Sequence, residues 1–259
     1  MLPISPERAA FEVLARFSPT RPRVDVVELA SSLGDVEIRY ELLNSSGLVI
    51  SDDQGHTVIL VSLADAHVRQ RFTVAHEVGH LWLERLDSEG ASFSPQNDDD
   101  TERWCDAFAA AVLIPREWLS AELMYTPIID LSTSLLMKPY GHDVSAVTLF
   151  RRIGEVSKIS VGILERTRGN NEWVQLFPTQ HVDERLVSNA FMSLARRFPP
   201  KRGRLPIATS VEFGGFVASV AAIPDTVGKT KRRWIVSIIE SDCIGADGYL
   251  DPIAALPLD

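Results

Sequence analysis

Five stretches of the chain place apolar residues at helical spacing, and several have a recognisable beginning or end. Ser5 followed by Pro6 is a typical helix start, Gly34 is a typical stop for the second stretch, and Pro115 ends the fourth. The predicted helices cover residues 5–18, 24–34, 65–84, 101–114 and 116–123.

Three shorter stretches between the second and third helices have strand character. Residues 36–42 alternate apolar and charged positions, which indicates a half-buried strand, and residues 47–51 and 57–61 are apolar runs. A polar segment at 52–55 supplies turn chemistry between the last two strands. We expect the three strands to form a meander directly before the long helix at 65–84.

The pattern changes after residue 125. Two short helices at 130–137 and 144–154 flank a turn at 139–143, which is the outline of a helix-turn-helix. We interpret them as a structural pair, because the second helix offers few groups that read a DNA groove. After a polar break at 166–172, the predicted elements are a strand at 173–177, a helix at 182–198, a bent strand or hairpin at 211–223 and a strand at 233–240.

These elements predict an α+β fold in three parts. Residues 1–125 form a mostly helical domain with a small three-stranded sheet, and residues 126–168 form a helical segment packed on it. Residues 169–259 form a small α+β domain that senses a ligand, binds a partner or mediates assembly.

Composition narrows the class of protein. Of 259 residues, 45% are hydrophobic and 24% are charged, as in ordinary globular proteins. No apolar run approaches the roughly 20 residues that a membrane-spanning helix needs, and the N-terminus lacks the basic and apolar regions of a signal peptide. Two distant cysteines do not suggest a disulfide framework. We therefore expect a soluble cytoplasmic protein with no membrane partner.

The net charge of −9 argues against nonspecific nucleic-acid binding by the whole surface. Residues 196–233 nevertheless carry nine Lys or Arg against two acidic residues. We interpret them as a solvated basic face, and direct contact with DNA there or through the helix at 144–154 stays open as an alternative. The polar stretch 87–100 closes on three aspartates and is expected to be a mobile loop whose acids begin the next helix.

The sequence His-Glu-x-x-His lies inside the long helix, at residues 76–80. His76 and His80 are four positions apart, so both imidazoles leave one face of the helix and can reach one Zn²⁺ at about 2.0–2.1 Å. Glu77 lies beside them, where its carboxylate can take a proton from metal-bound water. Gly79 has no side chain, so another element can approach the helix closely there.

The helix at 101–114 supplies two more carboxylates. Glu102 and Asp106 are four positions apart and in line with Ala109, Ala110 and Leu113, which we expect to be buried. Carboxylates along a buried stripe are costly unless a positive charge compensates them, and a divalent metal would do so. Glu102 can therefore be a third protein ligand, and Asp106 can accept the outer N–H of a ligating histidine.

Three other residues are candidates for the same site. Cys105 neighbours Asp106, and thiolate is a good zinc ligand, but its direction on the helix, about 100° from the line of carboxylates, favours a packed, inert thiol. Tyr140 and His142, in the turn at 139–143, could stabilise the oxyanion of a tetrahedral intermediate, although no pattern places them near the metal.

The two motif helices resemble those of the gluzincin-like metallopeptidases of the ImmA/IrrE family. The matching pieces are residues 75–81, which contain His-Glu-x-x-His, and residues 102–115, where Glu is followed by Asp, then Phe-Ala, and a Pro at the end. The resemblance is strong over residues 5–125 and weaker afterwards. Cys105 and residues 82–84 depart from the usual pattern without touching the proposed ligands.

The resemblance implies a zincin-like domain in which His76, His80 and Glu102 hold zinc, Glu77 is catalytic and Asp106 supports a ligand. Mn²⁺ could replace Zn²⁺ in activity. It also implies a bacterial regulator that cuts a helix-turn-helix transcriptional repressor, derepressing stress-response or mobile-element genes. Some family members append a GAF-like sensor domain at the C-terminus.

A second hypothesis from another class stays open at this point. The protein could be a non-proteolytic transcriptional regulator that binds DNA or a partner protein, with a structural or vestigial zinc site. The intact Glu77 argues against this reading, because a purely structural site has no use for a base beside the metal.

Overall fold

The computed structural model describes residues 4–17, 24–88, 98–126, 144–167, 174–175, 209–213, 215–223 and 231–251. The chain divides into two compact units, one formed by residues 1–116 and 140–148 and the other by residues 117–139 and 149–259. Both helices and sheets are present, so the α+β class is confirmed. No helix among the described residues combines the length and the apolar character needed to cross a membrane.

The helices of the first unit are α1 (Pro6–Phe17), α2 (Val26–Ser31), α3 (His67–Ser88) and α4 (Asp98–Leu113). The helix α2 is shorter than predicted. The Asp25 carboxylate caps its start by accepting from the backbone N–H of Val27 and Glu28, at 3.0 and 3.1 Å. Three aspartates form the first turn of α4, as expected, because their charge favours the positive end of a helix.

A three-stranded sheet contains β1 (Val36–Glu41), β2 (Gly47–Ser51) and β3 (Thr57–Ser62). Its order is β1-β3-β2, with β3 parallel to β1 and antiparallel to β2, so the expected meander is wrong. The strand β3 takes the central position because it buries more of its side chains than β1 or β2 do. Ile59 and Val61 of β3 are fully buried. The charged strand β1 lies at one edge of the sheet, and β2 lies at the other.

The expected turn between β2 and β3 is present. The Asp52 carboxylate accepts hydrogen bonds from the backbone N–H of Gln54 and His56, at 2.9 and 3.0 Å. Gly55 adopts a φ of +82°, a conformation that glycine reaches without strain. The hairpin therefore follows from local chemistry, whereas the position of β1 does not.

The core of the first unit is centred on α3 and α4. Val74, Ala75 and Val78 of α3 are fully buried, as is Phe108 of α4, whose ring stacks on Trp104 with centroids 5.4 Å apart. A Cβ at Gly79 would lie 3.1 Å from the Phe108 ring and 3.3 Å from the Cys105 sulfur. This confirms that the glycine lets a second element approach, and that element is α4.

The second unit contains most of α5 (Arg116–Met124), most of α6 (Ala146–Val156), and a five-stranded antiparallel sheet of order β5-β4-β8-β7-β6. Its strands are β4 (Ser160–Thr167), β5 (Val174–Gln175), β6 (Thr209–Phe213), β7 (Phe216–Ile223) and β8 (Lys231–Glu240). The predicted hairpin is confirmed as β6 and β7, with Gly215 at a φ of +83° in its turn. The predicted last strand is confirmed as β8.

Several predictions differ from this unit or lie outside the described residues. The strand β4 was not predicted; it begins before the polar break at 166–172, extends into it, and pairs with β8. Of the helix-turn-helix outline, only the second helix is described, as α6. The helix predicted at 182–198 lies outside the described residues, and the three-part division at 125 and 168 stays a prediction.

Candidate metal centre

The helix α3 presents two histidine side chains on one face, as the four-residue spacing predicts. The Nε2 atoms of His76 and His80 are 3.2 Å apart, and the two rings meet edge to face with centroids 5.0 Å apart. Both side chains are partly buried, because the flanking residues of the helix face the core. The pair is therefore held at the surface of a rigid element.

Glu102 of α4 completes the cluster. Its Oε2 lies 3.2 Å from Nε2 of His76, and its Oε1 lies 3.4 Å from Nε2 of His80. Ligand atoms bound tetrahedrally at about 2.0–2.1 Å are about 3.3–3.4 Å from one another. The three side chains therefore fit a divalent metal ion, and this group could hold one.

The reason for the position of Glu102 differs from the one that the sequence suggested. Ala109, Ala110 and Leu113 are buried as expected, but the Glu102 side chain is 60% exposed and that of Asp106 is 45% exposed. The cost of burying a charge therefore does not apply to these two carboxylates. What the helix provides is direction, since both carboxylates face His76.

Asp106 lies behind the cluster. Its Oδ1 is 3.0 Å from Nδ1 of His76, so the imidazole donates from Nδ1 and leaves Nε2 toward Glu102 and His80. Burial opposes protonation of His76, but the hydrogen bond and charge of Asp106, with the charges of Glu77 and Glu102, raise its pKa. Burial and then the charge of His76 lower the pKa of His80.

Glu77 is the most buried acid of the site, with 9% of its surface exposed. Burial raises the pKa of Glu77, the charge of His76 opposes that shift, and the charge of Glu102 adds to it. Its Oε1 lies beside the backbone of Gly47, where β2 begins. The carboxylate is thus held between the histidine helix and the edge of the small sheet.

Cys105 is fully buried at the contact between α3 and α4. Burial raises the pKa of its thiol, and the charges of Glu102, Glu77 and Asp106 raise it further. A thiol in this state is a poor metal ligand, because only the thiolate binds well. This environment agrees with the packed, inert thiol that we expected at Cys105 from its direction on the helix.

The remaining predicted site residues are not placed by the structure. Tyr140 and His142 lie outside the described residues. The feature that sequence reasoning missed is Gly47, since a glycine after two serines reads as an ordinary turn residue. The signal that reveals it is spatial, namely its contact with the helix that carries the motif.

Comparison with known proteins adds a family and a fold. Residues 32–140 match the family described as peptidase M78, IrrE N-terminal-like domain. The chain is also similar to the solved structure of a Mycobacterium tuberculosis transcriptional regulator, with 17% sequence identity, a TM-score of 0.52, and coverage of 91% of this chain and 76% of that chain. That identity shows a shared fold alone. No curated protein matches the chain. The family match includes both motif helices and confirms the resemblance that they indicated.

Proposed function

Because residues 32–140 belong to the IrrE N-terminal-like domain of the peptidase M78 family, we propose that this chain is a zinc-dependent endopeptidase that cuts a protein at one site. The observation that carries the proposal is the convergence of Nε2 of His76, Nε2 of His80 and the Glu102 carboxylate within 3.4 Å of one another, with Glu77 adjacent. A metal-binding regulator without catalysis needs only the first three groups.

His76, His80 and Glu102 would hold the ion, and two imidazoles with one carboxylate are a donor set that suits Zn²⁺. Mn²⁺ is an alternative ion for the active protein. When bound, such an ion polarises a carbonyl and makes water more acidic. Asp106 keeps the His76 ring in the orientation that aims Nε2 at the ion, by accepting from Nδ1 at 3.0 Å.

Glu77 is the proton carrier of the proposed reaction. Its carboxylate accepts a proton from the attacking water and then delivers that proton to the nitrogen of the leaving amine. Burial raises the pKa of the metal-free Glu77 carboxylate above its ordinary value, so this carboxylate accepts a proton more readily than an exposed one.

The substrate we propose is an extended segment of a protein. The strand β2 has no partner strand on its outer side among the described residues, so its open backbone groups can pair with such a segment. Leu48 and Ile50 of β2 are exposed, by 37% and 52%, and offer apolar contact to substrate side chains.

The biological substrate that fits best is a bacterial helix-turn-helix repressor in the cytoplasm, as the family resemblance implies. Cutting it would derepress stress-response or mobile-element genes. The similarity in fold to a protein described as a transcriptional regulator is in line with such a role. The predicted C-terminal domain, residues 169–259, would then sense the activating signal or hold the repressor.

The test combines the purified protein, Zn²⁺ or Mn²⁺, and repressors encoded beside its gene. Mass spectrometry should reveal one cut in one repressor, and the cut should be absent with Glu77→Gln, which retains all three ligands. A matched control is Asp87→Asn, which is exposed near the end of the same helix and outside the metal cluster. If Glu77→Gln keeps both zinc and full activity in cells, the proposed endopeptidase activity is refuted, and the protein regulates by binding alone.

A further inference from the structure

Gly47, the first residue of β2, lies against the helix that carries the histidines. A Cβ on this residue would meet three groups of neighbouring elements. It would overlap the Cγ2 methyl of Thr73, and it would lie 3.0 Å from the carbonyl oxygen of Leu60 and 3.2 Å from Oε1 of Glu77. A side chain at residue 47 would therefore overlap Thr73 and press on the Glu77 carboxylate, which would have to shift by a few tenths of an ångström.

The backbone conformation gives no reason for a glycine here. Among the described residues, the glycines with positive φ are Gly34, Gly55, Gly215 and Gly248. Gly47 is not one of them, and it pairs with Val61 in a regular antiparallel ladder. Any residue could adopt this backbone, so the requirement for glycine comes from its surroundings.

The three neighbours differ in how far they can move. The Leu60 carbonyl belongs to β3, the central strand of the sheet, and is fixed by pairing on both sides. Thr73 is 4% exposed and Glu77 is 9% exposed, and each ends in atoms that rotate about side-chain bonds. A side chain at residue 47 would therefore displace Thr73 and Glu77 rather than the sheet.

We propose that Gly47 is a positioning residue for Glu77. Its missing side chain lets the edge strand lie directly against α3, so that the Glu77 carboxylate is held beside both the metal ligands and the open strand edge. The catalytic meaning of this role rests on the proposed endopeptidase function. The steric role does not, because it follows from the contacts of Gly47 with Thr73 and Glu77 alone.

The experiment separates the contact with Thr73 from the contact with Glu77. Thr73→Ser removes the overlapping methyl group, and Thr73→Ala serves as a second background in case the serine side chain rotates into the vacated space. Gly47→Ala and Gly47→Val are then made in the wild-type and in each background. Ser51→Ala, at the far end of β2, is the control for changes to the strand itself.

Three measurements are made on every variant with the full chain. Crystal structures give the position of the Glu77 carboxylate, chelator competition gives zinc affinity, and peptide-bond cleavage gives kcat and KM separately. We expect Gly47→Ala to lower the urea midpoint less in the Thr73→Ser background than in the wild-type protein, because only the contacts with the Leu60 carbonyl and the Glu77 carboxylate then oppose the methyl group, and to bind zinc as its parent does. The carboxylate should nevertheless move, and kcat should fall about tenfold, with a loss of about a hundredfold for Gly47→Val.

Other outcomes overturn the inference. If Thr73→Ser restores kcat together with stability, Gly47 serves only to pack against Thr73. If the Glu77 carboxylate keeps its position in Gly47→Val, the glycine does not position it. If the wild-type protein cleaves no substrate, the endopeptidase proposal fails by itself, while the crystal structures still decide the role of Gly47.

Discussion

Replacing Gly79 by alanine sets two effects of similar size against each other. Alanine is the better helix former, by about 1 kcal/mol within a helix interior. The new methyl group, however, would lie 3.1 Å from the Phe108 ring, 3.3 Å from the Cys105 sulfur and 3.4 Å from the Cys105 Cα. Overpacking of this kind typically costs about 1–3 kcal/mol.

Packing should decide whether the free energy of unfolding falls or rises, because neither Phe108 nor Cys105 can move without disturbing the core. Phe108 is fully buried and stacked on Trp104, and one of the close atoms of Cys105 belongs to the backbone of α4. We therefore expect Gly79→Ala to lower the free energy of unfolding by about 1 kcal/mol, the difference between the two effects. Moving α4 away from α3 should also weaken zinc binding, since the ligands come from both helices.

Urea unfolding of the metal-free protein, followed by tryptophan fluorescence, measures the first effect, and chelator competition measures the second. Cys105→Ala removes one of the close atoms, so the double variant should lose less stability than the sum of the two single variants. A Gly79→Ala protein that is about 1 kcal/mol more stable than wild type would contradict this expectation, because helix propensity alone would then account for its stability.

Three further predictions concern single side chains. Asp106→Asn should keep one zinc per chain but raise the zinc dissociation constant about 10–100-fold, because the acceptor for Nδ1 of His76 is weakened; an unchanged constant in chelator competition would count against it. The raised pKa of Glu77 means that its contribution to stability is full below about pH 4.3, its usual range, and is lost as pH rises through the folded value. Metal-free Glu77→Gln should therefore resist urea better than wild type at pH 7.5, and a lower midpoint there would contradict this. Cys105 and Cys243, both buried, should react with a thiol reagent only after unfolding, and labelling of the native protein would show otherwise.

The convergence of His76, His80 and Glu102 could be predicted because its geometry is local. The spacing of His76 and His80 fixes their common face, and the spacing of Glu102 and Asp106 does the same on α4. Only one fact beyond these was needed, namely that the two helices pack together, and Gly79 indicated where one of them could be approached. The cost of burying a charge does not account for the positions of Glu102 and Asp106, since both carboxylates are substantially exposed.

The features that could not be predicted depend on contacts that are distant in sequence. The order β1-β3-β2 follows from which strand buries more of its side chains against α3, and alternation within β1 does not contain that information. The strand β4 was missed because Gly162 interrupts its apolar run and its partner β8 begins at Lys231. Gly47 matters through Thr73 and Glu77, which lie on another element.

In the proposed zinc peptidase, the division of the ligands between α3 and α4 would affect the lifetime of the protein. An ion bound by His76, His80 and Glu102 is a cross-link between two helices, so it stabilises only the folded chain. Zinc at a hundred times its dissociation constant would add about 2.7 kcal/mol to the free energy of unfolding. We therefore expect chains deprived of zinc to be degraded faster as well as to be inactive. The supply of metal in the cell would then set how much of the protein persists, in addition to how much of it works.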